Sequence, residues 1–208
     1  MSYAVKEIFL TLQGEGMQAG RRAVFLRLAG CNLWSGREED RADAQCRFCD
    51  TDFVGLEGDN GGRYEAEALA GKAAALWGEG GRPLVVITGG EPMLQLDDVL
   101  IAALHARGFE IAVETNGTLP APAGIDWICV SPKAGTRVVQ RRGDELKLVW
   151  PQQGMDPATL LGWDFRHFLI QPMDCAEGEA ARAAAIALVM EDPRWRLSLQ
   201  THKLLGLP

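Results

Sequence analysis

Three cysteines in the first quarter of the chain have the spacing of a metal-binding group. Fourteen residues separate Cys31 from Cys46, and two separate Cys46 from Cys49. Two cysteines at the shorter spacing can turn both sulfurs toward one centre, and Cys31 can complete the set from the end of a preceding strand. Three thiolates leave one iron of a four-iron cluster without a protein ligand, so another molecule must fill that position. A structural zinc site with a histidine as its fourth ligand is the alternative that this pattern leaves open.

The composition is that of an ordinary globular protein with an acidic balance. Hydrophobic residues make up 47% and charged residues 24% of 208 residues, enough for one domain that buries about 70% of its unfolded surface. The net charge of −7 argues against nucleic-acid binding through the phosphate backbone. No apolar run approaches the roughly 20 residues that span a membrane. Because five cysteines cannot all pair and no signal peptide is recognisable, we expect a reducing cytoplasm with metal-bound thiols.

The elements that must position these cysteines alternate between strands and helices. Apolar runs predict strands at 8–12, 24–28, 84–88, 111–113, 127–130, 146–150, 167–170 and 195–200. Apolar residues at helical spacing predict long helices at 64–77, 97–105 and 179–190. This alternation favours a parallel sheet, but a closed barrel of eight strand–helix units needs about 250 residues. We therefore predict an α/β fold, a partial (β/α) barrel of about six parallel strands with about three long helices. We expect a single domain over residues 1–208 with a surface insertion at 32–45.

Nearly every predicted strand ends at a glycine, a proline or a polar residue. In parallel α/β folds the active site lies at the carboxyl edge of the strands. We expect one mouth there, lined by Cys31, Gly90, Glu114, Ser131, Lys133 and Gln171.

The motifs at these strand ends resemble those of the radical S-adenosylmethionine superfamily. CRFCDT followed by TGGEP carries the resemblance, although most members space their three cysteines by three and two residues. The long first gap, taken with LQGEG, ETNG and SPK, is similar to one branch, the 7-carboxy-7-deazaguanine synthases. The resemblance extends over about residues 8–174, with several motifs in the same order.

This resemblance implies a [4Fe–4S] cluster on Cys31, Cys46 and Cys49 whose open iron is chelated by S-adenosylmethionine. An electron from a donor such as flavodoxin or ferredoxin would then split the sulfonium and produce a 5′-deoxyadenosyl radical. The residues that would contact S-adenosylmethionine are Phe48, Cys49, Asp50, Gly89, Gly90, Glu91, Ser131, Pro132, Lys133, Gln171, Pro172, Met173 and Asp174. The two glycines permit a close backbone approach, whereas Glu91 is also explained as an acid at a helix N-terminus.

The resemblance also implies a magnesium ion at Thr51, directly after the last cysteine. Chemistry alone would favour Asp50 or Asp52, because magnesium prefers anionic oxygen ligands. A hydroxyl would serve if the substrate carboxylate and water fill the other positions.

The substrate implied is 6-carboxy-5,6,7,8-tetrahydropterin, which is rearranged with loss of ammonia to 7-carboxy-7-deazaguanine, a step of queuosine biosynthesis. Arg27 lies in an otherwise apolar strand and suits the carboxylate as a bidentate donor, although an outward arginine paired at the surface is the alternative. The residues that would bind the substrate are Leu12, Gln13, Gly14, Glu15, Arg27, Thr88, Glu114, His202 and Pro208.

The last two of these residues belong to the C-terminal segment THKLLGLP. We expect this segment to pack over the mouth through Leu204, Leu205 and Leu207, placing His202 or the Pro208 carboxylate against the substrate. A frayed terminus is the default for such a segment.

Two other functions remain open from the residues alone. An activating enzyme that makes a glycyl radical on a partner protein would need a docking groove in place of a small pterin pocket. A zinc-stabilised binding module would have no turnover. Because an open sheet edge requires covering, we also expect a homodimer.

Overall fold

The computed structural model describes residues 2–208, and the strands in this range form one nine-stranded sheet. In chain order, β1 to β9 are Ser2–Leu12, Arg22–Leu28, Gly62–Glu65, Leu84–Gly89, Glu110–Thr115, Trp127–Val130, Arg142–Trp150, Asp164–Pro172 and Trp195–Leu197. Their spatial order is β3-β1-β2-β4-β5-β6-β7-β8-β9. The strand β1 pairs with β2 on one side and β3 on the other, and both pairings are antiparallel. In the rest of the sheet, β2, β4, β5, β6, β7, β8 and β9 lie side by side in that order and are all parallel. The prediction of a parallel sheet is confirmed, with the short β9 as a seventh parallel strand.

Five α-helices occur in the described chain, and three of them are long. In chain order, α1 to α5 are Ala66–Trp77, Asp98–Ala106, Pro157–Leu160, Gly178–Glu191 and Thr201–Leu205. The prediction of three long helices is confirmed by α1, α2 and α4. The predicted start of the first helix at residue 64 is wrong, because Tyr64 and Glu65 pair with Tyr3 and Ser2 as part of β3. None of these helices is long and apolar enough to span a membrane.

The three long helices cover one face of the sheet. Alternate residues of β2 and β4, such as Leu26 and Ile87, are fully buried in a core with Leu69 of α1 and Leu100 of α2. A second core joins β7 and β8 to α4. Burial of apolar area at about 25 cal/mol per Å² makes this face the main source of stability. The other residues of the same strands therefore point to the opposite face, which holds the polar groups.

A single ion pair shows that this opposite face is concave. Lys147 of β7 bonds to Glu15, which follows β1, although four strands lie between β1 and β7 in the sheet. Neighbouring strands are about 4.8 Å apart, so a flat sheet would hold these two strands about 24 Å apart. The contact requires the sheet to curve, and the fold is a partial barrel as predicted.

The segment between Cys31 and Cys46 lies mostly at the surface and contains a short 3₁₀ helix, Glu38–Asp43. Its one deeply buried side chain is Trp34, whose ring meets Phe53 edge-on at 5.7 Å between centroids. This aromatic contact fixes the segment to the chain that follows Cys49.

Candidate active site

A cavity of about 370 Å³ opens at the carboxyl edge of the parallel strands. Most of the residues predicted for a site line it. Of the residues predicted for the cluster, the magnesium ion and the cofactor, the lining includes Cys31, Cys46, Phe48, Cys49, Asp50, Thr51, Gly89, Gly90, Ser131, Lys133, Gln171, Pro172, Met173 and Asp174. Of the residues predicted for the substrate, it includes Leu12, Gln13, Gly14, Glu15, Arg27, Thr88, Glu114, His202 and Pro208. The structure thus brings residues from all parts of the chain to one place.

Two predicted residues, Glu91 and Pro132, do not line this cavity. The Glu91 carboxylate is buried, and it accepts hydrogen bonds from the backbone N–H of Met93 at 3.0 Å, the Thr115 hydroxyl at 2.7 Å and the backbone N–H of Asn116 at 2.8 Å. Burial raises the pKa of Glu91, and these hydrogen bonds oppose the rise. Through these hydrogen bonds, Glu91 joins the loop after β4 to the end of β5. Pro132 instead presents its backbone carbonyl to the Gln152 amide at 3.2 Å.

The three predicted cluster ligands face the cavity from two loops. The Cys46 thiol hydrogen-bonds to Cys49, which lowers the pKa of Cys49 to about 6. Cys31 follows β2, and its sulfur accepts a hydrogen bond from the backbone N–H of Leu33 at 3.4 Å. Lys133 lies close enough for its charge to favour the thiolates of both Cys46 and Cys49.

Glycines let the backbone approach Cys31 closely. A Cβ added at Gly90 would lie 2.4 Å from the Gly30 carbonyl oxygen and 2.5 Å from the Cys31 Cβ. At Gly89, whose φ is +148°, it would lie 2.1 Å from the Leu28 carbonyl oxygen. Only glycine fits at either position, and the backbone beside the thiols stays open to the cavity.

Arg27 faces the cavity, and it does not point outward from the sheet. Its Nε donates to Glu7 at 2.7 Å, and both side chains line the cavity at 19% and 26% exposure. The interpretation of Arg27 as an outward surface residue is therefore wrong. Because the bond to Glu7 uses Nε, the outer nitrogens of the guanidinium remain for a bound anion.

Comparisons with known proteins agree with this geometry. The model of the radical SAM superfamily matches residues 41–146. The chain is 63% identical to a 7-carboxy-7-deazaguanine synthase of Caulobacter vibrioides and 58% identical to one of Bordetella pertussis, each over the whole of both chains. A crystal structure of QueE from Escherichia coli superimposes with a TM-score of 0.74 at 28% identity, covering 96% of this chain and 94% of that one.

The chain belongs to the 7-carboxy-7-deazaguanine synthase family. The resemblance drawn from the motifs is thereby confirmed, and so are the radical SAM chemistry, the [4Fe–4S] cluster and S-adenosylmethionine that membership brings.

The donor set fits the cluster of this family. Within residues 2–208, no three histidine, cysteine or acidic side chains converge closely enough to hold one metal ion. A four-iron cluster does not require such convergence, because each thiolate binds a different iron. Three thiols around an open cavity, with glycine backbone alongside, match a cluster that keeps one iron accessible.

The side chains beside the cysteines connect them to the predicted cofactor residues of the family. Lys133 donates to the Ser131 hydroxyl at 2.7 Å and lies 5.8 Å from the centre of the Phe48 ring. Asp50 accepts from Lys203 at 2.6 Å, and the same ammonium donates to Asp174 at 2.6 Å. Burial alone would raise the pKa of Asp50, but Lys203 outweighs it and the pKa is lowered.

The acids on both sides of Thr51 have cationic partners. Asp50 pairs with Lys203 at 2.6 Å, and Asp52 pairs with Lys6 at 2.8 Å. Both carboxylates are therefore engaged, and Thr51 between them lines the cavity.

The C-terminal segment crosses the mouth, but polar contacts hold it in place. The backbone N–H and hydroxyl of Thr201 donate to the Gly14 carbonyl at 3.0 and 2.8 Å. The Thr11 hydroxyl donates to the Pro208 carbonyl at 3.3 Å. The expectation that Leu204 and Leu205 pack it down is wrong, since they are 75% and 65% exposed.

Sequence reasoning missed a buried charged group on the concave face. Lys147 donates to Glu15 and, at 2.5 Å, to Glu114, and its side chain is 3% exposed. Glu145, two residues earlier on the same face, accepts from the backbone N–H of Met17 at 2.7 Å. The signal was present: Glu145 and Lys147 alternate with the apolar Leu146 and Leu148, which marks a polar inner face.

Proposed function

We propose that this protein converts 6-carboxy-5,6,7,8-tetrahydropterin to 7-carboxy-7-deazaguanine with loss of ammonia, in queuosine biosynthesis. One observation carries the proposal: a single cavity is lined both by the three cysteines and by Arg27 with Glu114. A cofactor held at the cysteines and a carboxylated pterin held at Arg27 and Glu114 would therefore share this cavity. The relatives reported above are named 7-carboxy-7-deazaguanine synthases, which states the product proposed here, and they match over the full chain.

The residues on the substrate side suit the two polar ends of such a pterin. The Arg27 guanidinium, oriented by Glu7, offers donors to the carboxylate. At the opposite end, Glu114 and Glu15 offer acceptors to the donor edge of the ring. The Gln13 amide donates to Glu114 at 3.0 Å and accepts from the backbone N–H of Glu15 at 3.0 Å. These two hydrogen bonds fix the positions of Glu114 and Glu15 relative to each other.

The cofactors supply hydrogen abstraction by a radical when they are bound. The chain supplies the thiolates of Cys31, Cys46 and Cys49, the open backbone of Gly90, and a cavity that shields the reaction from water. Asp50, Ser131, Lys133, Gln171 and Asp174 are the polar groups that would hold S-adenosylmethionine, together with the neighbouring residues predicted above.

A magnesium ion at Thr51 is part of the proposal. The support is that Lys6 and Lys203 neutralise the adjacent carboxylates, so a cation there needs the substrate carboxylate as its anionic ligand. Magnesium binding should therefore depend on the substrate.

The wider setting is also proposed. The chain acts as one domain with an insertion at 32–45, works in the cytoplasm, receives its electron from a flavodoxin or ferredoxin, and forms a homodimer. The exposed side chains of Ile186 and Met190 on α4, at 49% and 81%, leave an apolar surface that a second subunit would cover.

The experiment is an anaerobic reaction of the reconstituted protein with S-adenosylmethionine, magnesium, a reductant and the pterin. The expected result is a brown protein that forms 7-carboxy-7-deazaguanine, detected by mass spectrometry, together with 5′-deoxyadenosine. Formation of 5′-deoxyadenosine without the deazaguanine would refute the substrate, and a colourless zinc protein would refute the chemistry.

A further inference from the structure

The concave face contains one lysine between two of the carboxylates assigned to the substrate. Lys147 Nζ donates to Glu114 Oε2 at 2.5 Å and also to Glu15 Oε2. The exposed fractions of the Lys147, Glu15 and Glu114 side chains are 3%, 15% and 20%. Lys147 thus lies at the floor of the cavity, and the carboxylates lie above it toward the opening.

Each carboxylate has further hydrogen-bond donors that limit its orientation. Glu114 Oε1 accepts from the Gln13 amide at 3.0 Å, and Glu15 Oε1 accepts from the Gln200 amide at 3.0 Å. The ammonium occupies the remaining oxygen of each. Removing it would leave two partly buried anions close together with only neutral donors around them.

The ionisation of Glu15 and Glu114 depends on the charge of Lys147. Burial alone would lower the pKa of Lys147, but Glu114 and Glu15 outweigh it and the pKa is raised. Burial alone would raise the pKa of Glu15, but the charge and hydrogen bond of Lys147, together with hydrogen bonds from Gln200 and Gln171, lower it. Two carboxylates that share a site without a cation cannot both stay ionised, because like charges raise the pKa of one of them.

The other titratable groups that face Lys147 do not replace it. Glu145 lies on the same strand, and burial raises its pKa. Cys129 of β6 is fully enclosed, and burial raises its pKa as well. His167 pairs with Glu145 across β7 and β8 and stacks on Trp127 at 6.0 Å. Within residues 2–208, the hydrogen bonds of the Lys147 ammonium go to Glu15 and Glu114 alone.

We propose that Lys147 is a positioning residue for substrate recognition: it holds Glu15 and Glu114 facing the cavity so that both accept hydrogen bonds from the donor edge of the ring. The inference rests on the proposed function, since it needs a ligand with such an edge. It assigns no contact with the reacting atoms to Lys147.

The test measures pterin affinity anaerobically by calorimetry on the reconstituted enzyme with S-adenosylmethionine and without reductant, from mildly acidic to mildly alkaline pH. We compare the wild type with Lys147→Met, and Lys72→Met on α1 serves as the matched control. Loss of charge-assisted hydrogen bonds predicts about 10- to 100-fold weaker pterin binding by Lys147→Met at neutral pH. The affinity of Lys147→Met relative to the wild type should recover as pH rises, because the proton shared by the carboxylates leaves. The affinity of Lys72→Met relative to the wild type should stay constant across the same range.

Two further variants separate positioning from packing. The double variant Lys147→Met with Glu114→Gln lacks one of the two carboxylates that Lys147 joins, so it should bind weakly, and its affinity relative to the wild type should not change with pH. Lys147→Arg keeps the charge but not the shape, so it should bind the pterin more weakly than the wild type by the same factor at every pH. Lys147→Arg also replaces Lys147→Met as the test variant if Lys147→Met does not fold. In every folded variant the affinity for S-adenosylmethionine should stay unchanged.

Wild-type affinity in Lys147→Met would overturn the inference, as would an equal loss at every pH. Wild-type affinity in Lys147→Arg would overturn it too, because the inference requires the shape of the lysine as well as its charge. A wild-type enzyme that binds no pterin at all would instead refute the proposed function, and the inference with it.

Discussion

Arg41, in the insertion between the first two cysteines, should determine how firmly the cluster is held. One of its outer nitrogens donates to the backbone carbonyls of Arg47 and Cys49, at 2.9 and 3.1 Å. Its guanidinium also lies 4.1 Å from the centre of the Trp34 ring. A single side chain thus joins the insertion to both ends of the loop that carries Cys46 and Cys49.

These contacts set the free energy by which Arg41 stabilises the ordered loop. Because 28% of the Arg41 side chain is exposed, each of the two hydrogen bonds contributes about 1 kcal/mol, which is less than the roughly 1.5–3 kcal/mol typical of a charged donor. Stacking on Trp34 adds about 0.5–1 kcal/mol. The ion pair with Glu38, which is 77% exposed, adds little. Arg41→Met should therefore destabilise the ordered loop by about 2.5–3 kcal/mol, or roughly 70- to 160-fold in its equilibrium.

The assay follows the visible absorption of the reconstituted protein during anaerobic incubation with an iron chelator. Arg41→Met should lose its cluster much faster than the wild type, and Arg41→Lys should fall between them. Arg37→Met is the matched control, because the Arg37 side chain lies in the same segment at 71% exposure and pairs with Glu39 at a long 3.8 Å. Equal rates for Arg41→Met and Arg37→Met would refute the reasoning.

Three further predictions concern the substrate, the tail and acid stability. Arg27→Ala should weaken pterin binding by about 10- to 100-fold while leaving S-adenosylmethionine binding unchanged, as measured by calorimetry; equal losses would contradict its role. Extension of the chain by a few residues after Pro208 should impair pterin binding, because the terminus lines the cavity, and unchanged affinity would remove the tail from the site. The hydrogen bonds and charge of Arg21 lower the pKa of Glu110 below 4.5. This pair should therefore stabilise the fold above about pH 4.5 and cease to do so as pH falls through the lowered pKa. Chemical denaturation should show a smaller loss of stability on acidification for Glu110→Gln than for the wild type, and identical pH profiles would contradict the assignment.

The fold was largely predictable because its signals are local. Apolar runs such as Leu84–Gly89 mark strands buried on both faces, and the polar residues that end them mark the edge where a site forms. The error at Tyr64 has a physical reason. Its spacing suits a helix, but hydrogen bonding with β1 uses its backbone for a strand.

The site was predictable where a residue type and its position in an element were sufficient. Few functions other than metal binding and close backbone approach explain cysteines and glycines at these spacings. Their positions at strand ends bring them to one edge of the sheet. Partners could not be predicted in the same way. Lys147 and Glu15 are 132 residues apart, and Lys203 and Asp50 are 153 apart.

The sequence alone determined the chemistry of this protein: three thiols at a distinctive spacing, a parallel sheet and an edge at which polar groups gather. Only the tertiary structure decided which groups neutralise one another there. Periodicity identifies the face on which a side chain lies, but the curvature of the sheet sets which distant charge it meets. That curvature is the reason that Lys147 lies beneath two carboxylates in the cavity floor.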